Sequence, residues 1–325
     1  MTRRITRRTF VAAALAIPAV ARAQGWVPQR PVRIIVPYTA GGASDITARL
    51  IAERMRGALG QAGVVENRTG ASGIIGTEAV AKAVPDGTTI ALVASSHVVN
   101  RALFPTLPFD PISDFAPITL TAHVQLVLVV PASHPARNVP ELMAWAQAQG
   151  AGRAAFASSG NGSNPHILAA DLLRRAGVEM EHVPYRGSTA AHADLLAGRT
   201  QMMFDALAAV QPHVQAGTLR LLALAGPTRS RLLPELPTVA EQGVPGFGAT
   251  SWGCLLAPAG TPPGAIAALN GAARDILLSA EVRDRLAPLG AEPAPGTPED
   301  LLAFMRQEQA RYVALVQQLG IKAGG

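Results

Sequence analysis

The feature that most narrows the fold is a repeated unit: a short apolar strand, a glycine-containing turn, then an amphipathic helix. Residues 32–38 form a β-branched run followed by the turn Thr39-Ala40-Gly41-Gly42-Ala43-Ser44. From Asp45 to Leu59, the spacing puts Ile46, Leu50, Ile51, Met55 and Leu59 on one helical face. The pattern continues with a strand at 64–67, a helix at 75–83 and a strand at 88–94 after the turn Pro85-Asp86-Gly87. An apolar run at 125–130 precedes Asn138-Val139-Pro140-Glu141, which has capping-box spacing for a helix ending near Gly150. Residues 154–157 lead into a second glycine-rich turn, Ser158-Ser159-Gly160-Asn161-Gly162. Further strands are predicted at 182–184, 201–204 and 219–225. Thr261-Pro262 and Thr297-Pro298 each place a cap residue before a proline, predicting helix starts. Such alternation specifies α/β architecture with mainly parallel sheets.

The first 23 residues read as a signal peptide. Arg3, Arg4, Arg7 and Arg8 precede a short apolar run at 10–20, and Ala21-Arg22-Ala23 offers a small-x-small cleavage site before Gln24. Thr6-Arg7-Arg8-Thr9-Phe10 has the look of a twin-arginine export motif, and the expected destination is the periplasm. This segment carries five arginines and no acidic residue, so without it the formal charge drops from +6 to +1. The apparent basicity therefore gives no reason to expect a nucleic-acid partner. The 302 residues that remain exceed what one hydrophobic core organises, and two lobes are expected. Cys254 is the single cysteine, so no internal disulfide forms, and it reads as a small buried hydrophobe.

In open α/β sheets, ligands bind beyond the carboxyl ends of the strands. Glycines there let backbone N–H groups approach a ligand, and the helix that follows offers unpaired donors and a partial positive charge. The turns at 38–45 and 158–164 have this form. Catalytic patterns are missing. Gly160-Asn161-Gly162-Ser163-Asn164-Pro165 has proline where a dinucleotide fingerprint needs its third glycine, and no G-x-S-x-G, P-loop lysine or H-E-x-x-H motif occurs. The seven histidines lack metal-ligand spacing. A non-enzymatic binding protein, with no cofactor and no metal, is the expectation.

The chain resembles the substrate-binding proteins of the tripartite tricarboxylate transporters, the Bug family of extracytoplasmic receptors. The marks, in order, are PVRIIVPYTAGGASDITARLIA, VVENRTGASGIIGTEAVAKAVPDG, LPFDPISDFAPIT, FASSGNGSNPHILA, HVPYRGS, MMFD, LPTVAEQGVPGF and SWGCLLAPAGTP. The resemblance implies a type II periplasmic binding protein, with two α/β lobes joined by hinge strands around a ligand cleft. Lobe one would comprise residues 24–124 and 250–325, and lobe two residues 125–249. It further implies capture of a small carboxylate (a di- or tricarboxylate, an aromatic acid or an acidic amino acid) by a monomer. The membrane subunits of a tripartite tricarboxylate transporter are the implied partner, and a sensory binding protein is the alternative.

The implied ligand-binding residues are Tyr38, Thr39, Ala40, Gly41, Gly42 and Asp45 in the first lobe. In the second lobe they are Ser158, Ser159, Gly160, Asn161, His166, Tyr185 and Asp205. Asp45 is expected either to anchor its loop or to meet a ligand amino or hydroxyl group. Tyr38 stands where the family commonly has Phe, which would add a hydroxyl at the cleft mouth. Pro165 is expected to hold Asn164 in extended geometry and to remove one amide donor from the second loop.

Overall fold

The computed structural model describes residues 26–104 and 106–322. The expected signal peptide and the expected cleavage site before Gln24 lie outside the described residues. In chain order the elements begin β1 (Val32–Val36), α1 (Ala43–Leu59), β2 (Gly63–Asn67), α2 (Ile74–Ala81), β3 (Thr89–Ala94), α3 (Ser96–Leu103) and β4 (Phe115–Val124). Next come β5 (Leu126–Pro131), α4 (Val139–Gln149), β6 (Ala155–Ser158), α5 (Asn164–Ala176), β7 (Glu181–Pro184), α6 (Ser188–Leu196), β8 (Met202–Ala206), α7 (Leu207–Gln215) and β9 (Leu219–Leu224). The chain closes with β10 (Ser251–Pro258), α8 (Pro263–Leu278), α9 (Ala280–Leu286), β11 (Ala291–Pro293) and α10 (Pro298–Leu319).

Two sheets result. One has the order β11-β4-β10-β3-β1-β2 and the other β7-β6-β8-β5-β9. Strands β1, β2 and β3 are parallel, as are β6, β7 and β8, while β4, β5 and β10 run antiparallel to their neighbours. The chain passes from the first sheet to the second between Val124 and Leu126, and returns ahead of Ser251. Gln125, at the first crossing, accepts from the Leu207 N–H at 3.0 Å and donates its own N–H to the Gly290 carbonyl at 2.8 Å. Those two bonds tie both halves to one hinge residue.

Each sheet is covered on both faces, which is why its central strands β3, β5 and β10 are near-continuous buried apolar runs, while the edge strands β2 and β7 are more polar. In the first, α1 and α8 bury Leu50, Ile51, Met55, Leu269 and Ala273 against Val32, Ile34, Ile90 and Leu255. On the opposite face, α3 and α10 bury Val98, Val99, Met305 and Tyr312 against Val93, Cys254 and Leu256. Ile167 of α5 is buried in this same cluster, so the second lobe packs directly on the first beside the cleft. In the second lobe, Leu128, Phe156 and Phe204 meet α4 and α5, while Val127, Val129 and Met203 meet α6 and α7.

Local signals behave largely as their chemistry dictates. Asn138 Oδ1 accepts the Glu141 N–H at 2.8 Å and caps α4, and Thr297 with Asp300 forms a reciprocal capping box at the start of α10. Thr261 is a correction. Its hydroxyl donates to the Pro258 carbonyl at 2.8 Å, closing a turn, and Pro262 is the residue that precedes α8. Pro165 is another. It occupies the second position of α5, where proline is tolerated, and Asn164 before it is already helical rather than extended.

Candidate functional site

A cleft of about 650 Å³ lies between the lobes. Its walls are the strand-to-helix turns of both sheets: the β1–α1 turn at Tyr38 and Thr39, the β3–α3 turn at Ser95 and Ser96, and the β6–α5 turn from Ser159 to Asn164. Asp205 and Ala206, at the end of β8, close the floor. Ser72 contributes from the loop before α2, and both Ala71 and Ser72 there hold left-handed φ values of 46° and 55°. Non-glycine residues rarely accept that region. Here the Asn100 side chain donates to the Ser72 carbonyl at 3.1 Å and secures the turn against the cleft.

The first loop is built around Asp45. Its carboxylate is 2% exposed and accepts from the Gly41 N–H at 2.9 Å, Asn67 Nδ2 at 2.9 Å and Arg49 Nε at 3.0 Å. Burial works against its ionisation, yet the Arg49 guanidinium, the Gly41 N–H and Asn67 outweigh that and hold its pKa below the usual aspartate value. Asn67 also donates to the Tyr38 carbonyl at 3.1 Å, so one side chain fixes both ends of the turn. Asp45 anchors its loop and does not line the cleft. Ala40, Gly41 and Gly42 likewise stand outside the cleft wall and shape the turn. The Tyr38 hydroxyl faces inward rather than out at a mouth, accepting the Ala94 N–H at 2.8 Å and pairing with Ser96 Oγ at 2.9 Å. Burial pushes its phenol up to about 12 despite those two bonds.

The second loop has its own brace. Buried Ser158 Oγ accepts the Gly160 N–H at 3.2 Å and pairs with His182 Nε2 at 2.7 Å. His166 Nδ1 accepts the Gly162 N–H at 3.0 Å, which requires that nitrogen to be unprotonated. The two imidazoles stack with centroids 3.7 Å apart, and Phe156 stacks on His182 at 4.9 Å. Burial depresses both histidines to about 4, with the neighbouring His182 adding to the effect on His166, so both are neutral near pH 7. Ser158 and His166 therefore hold the loop and do not line the cleft. Tyr185 donates its hydroxyl to Asp194 at 2.6 Å and is directed away from the cleft. Asp205 borders the cleft with its carboxylate engaged by Ser188 Oγ at 2.9 Å, the Ala206 N–H at 2.8 Å and His192 Nε2 at 2.8 Å.

Of the residues expected from sequence, Tyr38, Thr39, Ser159, Gly160, Asn161 and Asp205 line one cleft. Ser95, Ser96 and Ser72 also line the cleft and were not expected from sequence, whereas Asn164 closes the turn already singled out at 158–164. Ser95 and Ser96 directly follow a predicted strand, so the strand-end rule that picked the other two turns also covers them. Asn164 reaches across the cleft, its Nδ2 donating to Ser95 Oγ at 2.8 Å. This is a direct bond between lobes.

Among the described residues the cleft lining contains no lysine or arginine. What it offers an anion is neutral donors: the N–H groups of Thr39, Ser96, Ser159, Asn161 and Asn164 meet no acceptor among the described residues. The side chains of Thr39, Ser159 and Asn161 are likewise unbonded among the described residues, which leaves two hydroxyls and a carboxamide facing the space. Helices α1, α3 and α5 all begin at this cleft or beside it, adding their positive ends.

Two α/β lobes hinged around a polar, donor-rich cleft define a solute-binding receptor. A model of the tripartite tricarboxylate transporter family receptor matches residues 47–321, and the chain belongs to that family. It is a receptor and not an enzyme. It is similar to protein BugT of Bordetella pertussis, 37% identical over 297 residues covering 91% of each chain. Among solved structures it is similar to Rpa4515 of Rhodopseudomonas palustris with adipate, at 36% identity and a TM-score of 0.82, over 91% of this chain and 99% of that one. MatC of the same organism, with bound malate, aligns at 32% identity and a TM-score of 0.76 over 89% and 99%. The periplasmic binding protein BugD aligns at 32% identity and a TM-score of 0.78, over 91% and 100%. Among the described residues no helix is long and apolar enough to cross a membrane.

Proposed function

We propose that this chain is exported to the periplasm, matures at Gln24, and as a monomer binds one small carboxylate in the interlobe cleft. Residues 24–124 and 250–325 act as one lobe and 125–249 as the other, closing on the ligand and presenting it to the membrane subunits of a tripartite tricarboxylate transporter. The observation that carries this reading is the chemistry of the cleft: among the described residues it has several unpaired N–H and hydroxyl donors and no cationic side chain. Neutral donors suit a carboxylate of low charge, because hydrogen bonds to an ionised oxygen are about twice as strong as neutral ones. The adipate and malate complexes of the two Rhodopseudomonas relatives support the same ligand class. A melting-temperature screen against mono-, di- and tricarboxylates tests it. At a hundred times its dissociation constant a true ligand adds about 2.7 kcal/mol of stability. A screen with no shift for any acid would remove the proposal.

A further inference from the structure

Beside the main cleft lies a smaller chamber of about 180 Å³, reached past Leu126, Ala206 and Ser251, which line both spaces. It sits where β4 and β10 approach the first turn of α1, and Leu92, Val124 and Trp252 give it apolar walls. Its inner end is different. The pairing of β4 with β10 slips between Gly253 and Cys254, whose partners are Ala122 and Leu120, so Thr121 is the extra residue of a β-bulge. A bulge re-aims the side chain it carries, and bulges concentrate beside functional sites. Thr121 is 1% exposed, yet its hydroxyl makes no hydrogen bond to any described residue. Buried hydroxyls are ordinarily paired, so an unpaired one beside a cavity points to an absent partner. Gly253, directly across, keeps that space open: a Cβ there would lie 2.8 Å from Thr121 Oγ1. The Ala43 and Ser44 N–H groups, at the start of the 17-residue α1, border the same chamber and also meet no acceptor among the described residues.

Resting on the carboxylate reading of the main cleft, we propose that this chamber receives the far end of the ligand, with Thr121 and Gly253 as its specificity-determining residues. The class so defined is a long unbranched aliphatic acid, with several methylenes separating its carboxylate from a second oxygen function at the remote end. The methylene chain passes the apolar walls, and the remote oxygen takes the Thr121 hydroxyl and the α1 N–H groups. Compact or highly branched polyacids have no chain to send past Ala206 and Ser251.

The test compares adipate and malate by titration calorimetry on the wild type, Thr121→Val and Gly253→Ala. Thr121→Val preserves shape in the strand while deleting the hydroxyl, and Gly253→Ala fills the opening. Wild type is expected to bind adipate more tightly than malate, and each variant to weaken adipate about tenfold or more with malate unchanged. Equal losses for both acids, no loss for either, or a wild type that prefers malate would overturn the chamber assignment alone. A wild type that binds no acid in the wider screen would overturn the carboxylate reading and this inference together. Should one variant fail to fold, the other carries the same comparison.

Discussion

Replacing Asp45 with alanine isolates the device that holds the first cleft loop. In the folded protein this buried carboxylate takes three hydrogen bonds, from Gly41, Asn67 and Arg49. A bond to a charged group contributes about 1.5–3 kcal/mol, while the solvent-screened Arg49 adds little to it. After substitution the exposed Gly41 N–H regains water, whereas Asn67 Nδ2 loses one of its two acceptors. The expected loss is therefore about 3 kcal/mol, which for a chain of this size lowers Tm by roughly 5 °C or more. Because the folded pKa lies below the ordinary 3.8, this contribution is complete above that pH and disappears as pH falls through the depressed value. With the turn released, Thr39 no longer holds its donor in place, so affinity is expected to fall about tenfold as well. Scanning fluorimetry with and without ligand, alongside calorimetry, reads both effects. Unchanged Tm and unchanged affinity at pH 7 would refute the anchoring role, and a loss of affinity with unaltered Tm would return Asp45 to direct ligand contact.

The stacked histidines make a pH prediction with a definite sign. His166 and His182 fall from 6.5 to about 4 on folding, so the unfolded chain takes up protons first and stability declines between pH 6.5 and about 4. At full strength the two shifts would amount to about 7 kcal/mol, and solvent screening of these half-buried rings reduces the expected decline to about 3 kcal/mol. A denaturation midpoint that stays flat across this window contradicts the neutral stack. At Gly162, φ is +71° and an added Cβ would lie 2.6 Å from Leu103 Cδ1 across the cleft. Gly162→Ala should cost about 1–2 kcal/mol in backbone strain and weaken ligand binding by holding the lobes apart. Trimming Leu103 to alanine in the same chain should recover part of the affinity, and equal affinity in all three proteins would count against the contact. Cys254 is fully buried with its thiol pKa raised by that burial, so a thiol reagent should label it only after denaturant is added.

Much of this architecture was legible in the sequence because burial writes itself into periodicity. The face Leu50, Ile51 and Met55 of α1, and the caps at Asn138 and Thr297, follow from local rules that tertiary context left intact. The glycine turns at 38–45 and 158–164 could be picked out for the same reason. The division of labour inside them could not. Asp45, His166 and Tyr185 look like ligand groups in one dimension, and only the fold reveals partners at Gly41, Gly162 and Asp194. Thr121 carries no signal in one dimension, because its place beside the chamber depends on a strand register that slips by one residue opposite Gly253. Ser95 and Asn164 meet across 69 positions of sequence, and no local pattern couples them. The stacked histidines pair α5 with β7 in the same way.

The central claim is that one carboxylate occupies the cleft between the lobes. Native mass spectrometry of the wild type and of Ser159→Trp, each with the acid panel, tests it most directly, because Ser159 lines the cleft without bracing either loop. The account predicts a one-to-one complex with at least one acid for the wild type and its loss in the variant, with the charge-state distribution of the folded protein unchanged. An acid retained equally by both proteins would place the ligand elsewhere and contradict it.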